Sequence, residues 1–248
     1  MEPNGMKWAV LSDIHGNLEA LEATLAALGE VDAYLCLGDI VGYGANPNEC
    51  CAIVRKLCPE MTLMGNHDAG VLGRLSPHWF NPYARFALEW TRSVLTRENW
   101  DFLQSLPHRL EGEGWMAVHG SLVDPWEYIT SPWEARPSFE RLTVPLAFFG
   151  HTHLAEYYLQ EEGHLLVTQH PWSAGESILL APGRKYLVNP GSIGQPRDRD
   201  WRASAALFDT EARTLTLLRV EYNLAQAQRK ILEAGLPPLL AERLAWGY

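Results

Sequence analysis

Short apolar runs alternate with segments of helical period along the first part of this sequence. Residues 7–12 read as a buried strand and residues 17–28 as a helix. Asn17 caps its start, Leu18, Leu21, Leu25 and Leu28 share one face, and Gly29 stops it. A second strand is predicted over residues 33–37, a helix over 47–57 that ends at Cys58-Pro59, and a third strand over 61–64. Strand, helix, strand, helix, strand is the order of an α/β layered fold. Between Pro77 and Leu106 the period is helical but crowded with aromatics: Trp79, Phe80, Tyr83, Phe86, Trp90, Trp100 and Phe102. Lys and Arg are sparse among them, so the segment reads as a packing element rather than a base-stacking platform. Residues 115–118 and 146–149 are two further core strands. From about residue 155 shorter strands separated by turns follow, at 157–160, 164–169, 178–181, 186–188, 203–208 and 214–221. That succession predicts a second, largely antiparallel sheet. Residues 223–234 and 238–246 are amphipathic helices around Gly235-Leu236-Pro237. Their apolar positions, Leu224, Ile231, Leu232, Leu236, Leu240 and Leu244, are expected to cover a sheet, with a dimer interface as the alternative.

No internal repeat, low-complexity stretch or linker divides the chain, so residues 1–248 are expected to form a single domain. It includes the aromatic-rich helical segment at about 77–106 and the C-terminal helices at about 223–246. With 248 residues, 47% of them hydrophobic, there is material for a sizeable core. Set against 30 acidic residues, 20 basic ones give a net charge of -10, and no Lys/Arg block stands out. Duplex nucleic acid is excluded as a partner on that ground. A phosphorylated small molecule is not, because a bound metal cluster can reverse the local field. An acid and a proline stand at the N-terminus where a secretory signal needs a basic patch and an apolar stretch. The apolar runs fall far short of the ~20 residues that span a bilayer, so a soluble, cytoplasmic protein is expected, without membrane association. Cys36, Cys50, Cys51 and Cys58 form no Cys-x-x-Cys pair and are read as reduced thiols, Cys36 in the core.

Candidate chemistry sits at the ends of the predicted core strands. The first runs into Asp13-Ile-His15, the second into Gly38-Asp39, and the third into Gly65-Asn66-His67-Asp68. The fourth ends in His119 and the fifth in Gly150-His151-Thr152-His153. Ligands of α/β sheets bind at the carboxyl ends of strands, so these side chains should converge on one crevice. Taken singly, Asp-x-His is an ordinary helix cap beside a polar histidine, His-x-His is weak, and Gly-Asn-His-Asp is a plausible turn. Jointly they are specific: five of the nine histidines occupy these ends, while His78, His108, His164 and His170 lack such partners and read as surface or packing residues. The set points to a metal site.

In this order and at these separations, the five motifs resemble those of the calcineurin-like metallophosphoesterases, over residues from about 7 to about 220. The resemblance implies a four-layer αββα sandwich of two mixed β-sheets flanked by helices. It also implies two divalent metal ions, one held by Asp13, His15 and His153, the other by Asn66, His119 and His151, with Asp39 bridging both. Such ions, ~4 Å apart, share a water, lower its pKa and aim the bridging hydroxide at phosphorus. Two aspartates bring two negative charges against four from the metals, so the pocket stays cationic. No cysteine joins the set, which argues against a structural zinc site, and the mixed oxygen and nitrogen donors suit Mn, Fe, Zn or Ni comparably. His67, left over from coordination, is the candidate for stabilising the transition state or protonating the leaving oxygen. Its alternative is a group that orients a metal ligand from behind. Asp68 orients either His67 or a ligand.

Protein serine/threonine phosphatases of this superfamily extend the second motif as Gly-Asp-x-x-Asp-Arg-Gly, whereas this chain has Gly38-Asp39-Ile40-Val41-Gly42-Tyr43-Gly44 and lacks that arginine. The Gly-Tyr-Gly turn, with Asn189-Pro190-Gly191-Ser192-Ile193-Gly194-Gln195-Pro196-Arg197-Asp198, resembles the bacterial and archaeal branch of small phosphodiesterases and diadenosine-tetraphosphatase-like proteins. The amides of the Asn-Pro-Gly-Ser segment are expected to approach the site closely. Arg197 is the candidate contact for substrate phosphate, its alternative being a surface arginine paired with Asp198 or Asp200. The leading expectation is a dimetal phosphoesterase acting on phosphodiester or phosphomonoester bonds of small, nucleotide-like substrates, as a monomer or homo-oligomer. A protein serine/threonine phosphatase and a noncatalytic binding scaffold on the same fold are the alternatives.

Overall fold

The strands predicted in the first part of the chain form, and the second half threads back between them. A computed structural model describes residues 5–248. The first four residues, on which the reading of the N-terminus partly rests, lie outside that range. In order, the elements are β1 (Lys7–Leu11), α1 (Leu18–Leu28), β2 (Ala33–Cys36), α2 (Pro47–Leu57), α3 (Asn66–Val71), α4 (Pro82–Val94), α5 (Arg97–Ser105), β3 (Arg109–Gly112) and β4 (Trp115–Val118). There follow α6 (Pro132–Arg141), β5 (Leu146–Phe148), β6 (Ala155–Glu161), β7 (Val167–Pro171), β8 (Ser177–Leu179), β9 (Arg184–Pro190), β10 (Ala203–Asp209), β11 (Thr214–Val220), α7 (Leu224–Glu233) and α8 (Pro238–Glu242), with a 3-10 turn at Arg243–Trp246.

One sheet has five strands in the order β2-β1-β10-β11-β8, the other six in the order β3-β4-β5-β9-β6-β7. Both are mixed: β1 is parallel to β2 and antiparallel to β10, while β4, β5 and β9 run parallel and β6 runs antiparallel to β9. The short strands after residue 155 therefore do not make an antiparallel sheet of their own, as their pattern suggests. Three of them join β4 and β5, and three join β1 and β2. Alternation along each strand produces the layers. Ala9 and Leu11 face α1, α2, α4, α7 and α8, whereas Val10 faces Phe148 and Val188 of the other sheet. On the far face Met116, Ala147 and Leu187 pack against Ala135 and Phe139 of α6. The result is an αββα sandwich whose largest apolar cluster lies between the five-stranded sheet and its helices, with a smaller one between the sheets.

The expected third strand is reduced to a single parallel bridge between Cys36 and Thr62. Met64 turns its N–H to Pro107 O (2.8 Å), which ends the ladder just before the site. The sequence reading did not anticipate α6, because Pro132 and Pro137 both fall inside it. Of the C-terminal positions, Ile231, Leu236, Leu240 and Leu244 are buried in the helical layer, and Leu232 is 52% exposed. All four cysteines are free and buried. Trp79, Trp133 and Trp246 stand largely in solvent rather than in packing. Among the described residues no helix is long and apolar enough to cross a membrane.

Candidate metal centre

Asp13, Asp39, His119 and His151 all follow the carboxyl ends of core strands, the first two from one sheet and the last two from the other. Asn66 and His67 open α3 instead of ending a strand. Potential ligand atoms of Asp13, His15, Asp39 and His153 lie within 4.8 Å of one another, as do those of Asp39, His119 and His151. Asp39 thus belongs to both clusters, each of which can hold a divalent ion. Asn66 Oδ1 lies 3.1 Å from His119 Nε2, on the second cluster. All six carboxylates and imidazoles are buried.

The hydrogen bonds around the clusters turn lone pairs inward. Nδ1–H of His15 donates to Val41 O (3.1 Å), that of His119 to Leu37 O (2.8 Å) and that of His153 to Gln195 O (2.6 Å). Each bond fixes a tautomer whose Nε2 faces the cluster. His151 is reversed: its Nε2–H donates to Trp126 O (3.1 Å), which leaves Nδ1 for the site. Each aspartate divides its oxygens in the same way. Asp13 Oδ2 accepts from Ser12 Oγ (2.5 Å) and His151 N (3.1 Å), and Asp39 Oδ1 accepts from His67 N (2.8 Å). Asp13 Oδ1 and Asp39 Oδ2 are buried without a hydrogen-bond partner. Each faces an imidazole nitrogen: His153 Nε2, a lone pair in this tautomer, lies 3.3 Å from Asp13 Oδ1, and His119 Nε2 lies 3.4 Å from Asp39 Oδ2. His15 Nε2 and His153 Nε2 are 3.0 Å apart. Buried acceptors facing one another are costly unless a cation stands between them, so the donor set fits divalent metal ions.

Ionisation follows the same logic. Burial, which opposes it, is overcome at Asp13 by His153 and at Asp39 by His119, so both carboxyls stay well below the usual range. Burial holds His15 far below its ordinary value, lowers His153 with help from Arg197, and brings His151 down to about 3. His119 is the exception: against its burial, the Asp39 carboxylate raises it to about 9.

The backbone is strained where these side chains leave it. Among the described residues eight non-glycine positions have positive φ, and six are Asp13, His15, Asp39, Tyr43, His151 and His153, at +50° to +68°. Each costs about 1 kcal/mol or more, a burden typical of functional loops. Gly65 is required by contact, since a Cβ there would overlap the Asp39 carboxylate.

Other residues singled out in the sequence fall differently. His67 is buried with Nδ1 unpartnered, its ring 4.7 Å from His15, 4.4 Å from Tyr43 and 5.2 Å from Phe80. Burial, helped by Arg197 and opposed by Asp39, lowers it to about 4, so it is neutral at physiological pH. Asp68 does not reach His67. Its oxygens accept from Asp39 N (2.9 Å), Ile40 N (3.0 Å), Val41 N (3.2 Å) and Gly65 N (3.0 Å), which clamps the loop after β2 to the start of α3. The amides of the Asn-Pro-Gly-Ser segment are not offered to a ligand. Gly191 N donates to Asn189 Oδ1, Ile193 N to Ser12 O, Gly194 N to Asp13 O and Gln195 N to Ser192 Oγ. Arg197 pairs with neither Asp198 nor Asp200, which hold Arg219 and Arg202. Instead it reaches Tyr43 OH (3.4 Å) and Gln195 Oε1 (3.2 Å). His78, His108, His164 and His170 lie away from the clusters, and the first three are exposed. Two aromatic walls escaped the sequence reading. Tyr43 packs on His15 at 4.7 Å, and Tyr128 stacks on His151 at 3.9 Å. The Gly-Tyr-Gly turn was a signal for the first; nothing in the sequence marks the second.

Residues 6–213 match the calcineurin-like phosphoesterase superfamily domain. An uncharacterised protein of Methanocaldococcus jannaschii is 42% identical over 248 residues, covering 96% of this chain and 97% of its own. The crystal structure of a metallophosphoesterase from Sphaerobacter thermophilus superposes with a TM-score of 0.90 at 45% identity, over 99% of this chain and 100% of that one. A diadenosine tetraphosphatase-like protein shares the fold at a TM-score of 0.54 and 15% identity, over 89% of this chain and 96% of that one.

Proposed function

Because the chain belongs to the calcineurin-like phosphoesterase superfamily, we propose that it is a dimetal hydrolase of phosphodiester or phosphomonoester bonds in small, nucleotide-like substrates. In this reading Asp13, His15 and His153 hold one divalent ion, Asn66, His119 and His151 hold the other, and Asp39 serves both. The observation that carries it is the inward set of buried acceptors, with Asp13 Oδ1 and Asp39 Oδ2 left without a partner in the protein. When bound, two such ions supply positive charge for phosphoryl oxygens and acidify the water that attacks phosphorus in line.

The chain's own residues do the rest. The carbonyls of Val41, Leu37, Gln195 and Trp126 keep the imidazoles oriented, so the ligand set is built before a substrate arrives. His67, neutral and backed by Phe80, donates a ring N–H to an oxygen that gains charge in the transition state. That role suits a neutral imidazole better than full protonation of the leaving group. Arg197, beside the Tyr43 ring, contacts substrate phosphate. A cytoplasmic location is part of the proposal and is supported by the four free thiols.

Metal analysis of the purified protein, followed by hydrolysis of an activated aryl phosphodiester with saturating Mn, tests the reading. Asp39→Asn and His119→Ala are each expected to lose bound metal and at least ~100-fold in rate, the order of effect seen when a transition-state charge contact is removed. Unchanged turnover in both variants would overturn it.

A further inference from the structure

Beside the acceptor-lined clusters lies a patch of the opposite kind. Arg197 and Arg243 place their guanidinium carbons 6.0 Å and 5.9 Å from the centre of the same Tyr43 ring. That ring in turn packs on His15 and His67 of the site. Among the described residues neither arginine forms an ion pair with an Asp or Glu side chain, although the chain has 30 of them. Nearby Asp198 and Asp200 are already committed to Arg219 and Arg202. The Nε of Arg197 and the Nε2 of Gln195 are buried donors without a partner. Arg243 donates its Nε to the Tyr248 main-chain oxygen (2.6 Å).

Two half-buried cations that share one aromatic ring repel each other, and Tyr43 offsets only part of that cost. Unpartnered buried donors add to it. An anion held by both guanidinium groups relieves their mutual repulsion and offers an acceptor on the side of the unpartnered donors. On the reading of the metal clusters as the centre for phosphoester hydrolysis, we propose that Arg197, Arg243 and Gln195 form a second anion subsite for a phosphoryl group adjacent to the scissile one. The preferred substrates are then diphosphate-linked nucleotides rather than esters with a single phosphate. Arg197 and Gln195 come from the loop after β9, and Arg243 from the turn after α8, so the C-terminal helices supply specificity as well as cover. Planar guanidinium forks suit neighbouring phosphate oxygens, where a lysine is only a point charge.

The test compares ADP with AMP by titration calorimetry, in chelator-treated and Mn-loaded full-length protein, for wild type, Arg243→Met and Arg243→Lys. Wild type is expected to bind ADP about tenfold or more tightly than AMP, the value of one charge-assisted hydrogen bond. Arg243→Met should lose most of that preference and Arg243→Lys only part of it, with thermal unfolding confirming that both variants fold. Equal affinities for ADP and AMP in wild type, or a preference unchanged in Arg243→Met, would overturn the subsite. Wild-type hydrolysis of the aryl phosphodiester is measured in parallel. Turnover without an ADP preference removes the subsite and leaves the proposed activity standing. An Arg243-dependent preference without turnover upholds the subsite and removes the activity.

Discussion

At the scale of single residues, the site is built by dividing each polar group between a structural and a functional half. Asp39 gives one oxygen to His67 N and keeps the other free, and His15 gives one nitrogen to Val41 O and keeps the other. Asp68 is the extreme case, with every acceptor used for structure. Burial and the nearby Asp39 charge push its carboxyl up to about 7, against the pull of the main-chain donors from Gly65 and Val41. Asp68→Asn keeps one acceptor oxygen and replaces the other, which serves two of the four N–H groups, by an amide donor. At least two donors are then left buried and unpaired, at about 1–3 kcal/mol each. Urea unfolding of the metal-free protein should show Asp68→Asn destabilised by about 3 kcal/mol. A difference under ~0.5 kcal/mol, the range of ordinary surface substitutions, would mean that the four hydrogen bonds do not act as a clamp. The ligand set itself was legible in the sequence, because each candidate follows an apolar run and strand ends converge. Asp68's partners were not: main-chain donors are invisible to residue type.

At the scale of elements, legibility depended on whether a segment's period and its punctuation agreed. Both agree in α1, where Asn17 Oδ1 accepts from Ala20 N (3.2 Å) and the leucines repeat as a face, and the helix runs within a residue of its expected start. They conflict in α6, where Ser131 caps correctly but Pro137 reads as a breaker. The second half of the chain has the right strands at nearly the right places. Which sheet each joins is set by long-range pairing such as Ala206 with Val10, and no local pattern encodes that. Arg243 was out of reach for the same reason, since it comes beside Tyr43 through the packing of α7 on α1 and of α8 on α7. Leu240 lies at the centre of that contact, 1% exposed in the same apolar cluster as Ile231 and Leu21. Leu240→Ala should cost about 2–5 kcal/mol through lost burial and a residual cavity. Chemical denaturation measures it. A cost near zero would mean that α7 and α8 are loosely attached and cannot hold Arg243 in place.

At the scale of the whole molecule, a chain of net charge -10 keeps a group of imidazoles buried and neutral, and this sets how its stability responds to pH. Burial lowers His67 to about 4 and His151 to about 3, and displaces His15 and His153 the same way, whereas in the unfolded chain all titrate near 6.5. Between about pH 6.5 and 4 the unfolded state therefore binds protons at these positions that the folded state refuses. Their contribution is fully present above pH 6.5 and is lost as pH falls. Asp68, raised to about 7, and Glu156, raised by burial, act in the opposite sense, because there the folded state is the one that keeps the proton. His119, raised to about 9, also acts in this opposite sense from pH 7 down to about 6, where the folded state holds a proton that the unfolded chain is still taking up. Four histidines outweigh these three groups, so the metal-free protein should lose about 1.4 kcal/mol per pH unit for each net proton. The thermal midpoint of chelator-treated protein at pH 7, 6 and 5 is expected to fall at each step; a flat or rising series would mean that the imidazoles are not held neutral. Divalent metal binds only the unprotonated rings, so it adds to stability at pH 7 by mass action and adds progressively less on acidification. The midpoint shift produced by Mn should accordingly shrink from pH 7 to pH 5. A shift of constant size would place the bound ions away from the histidine clusters.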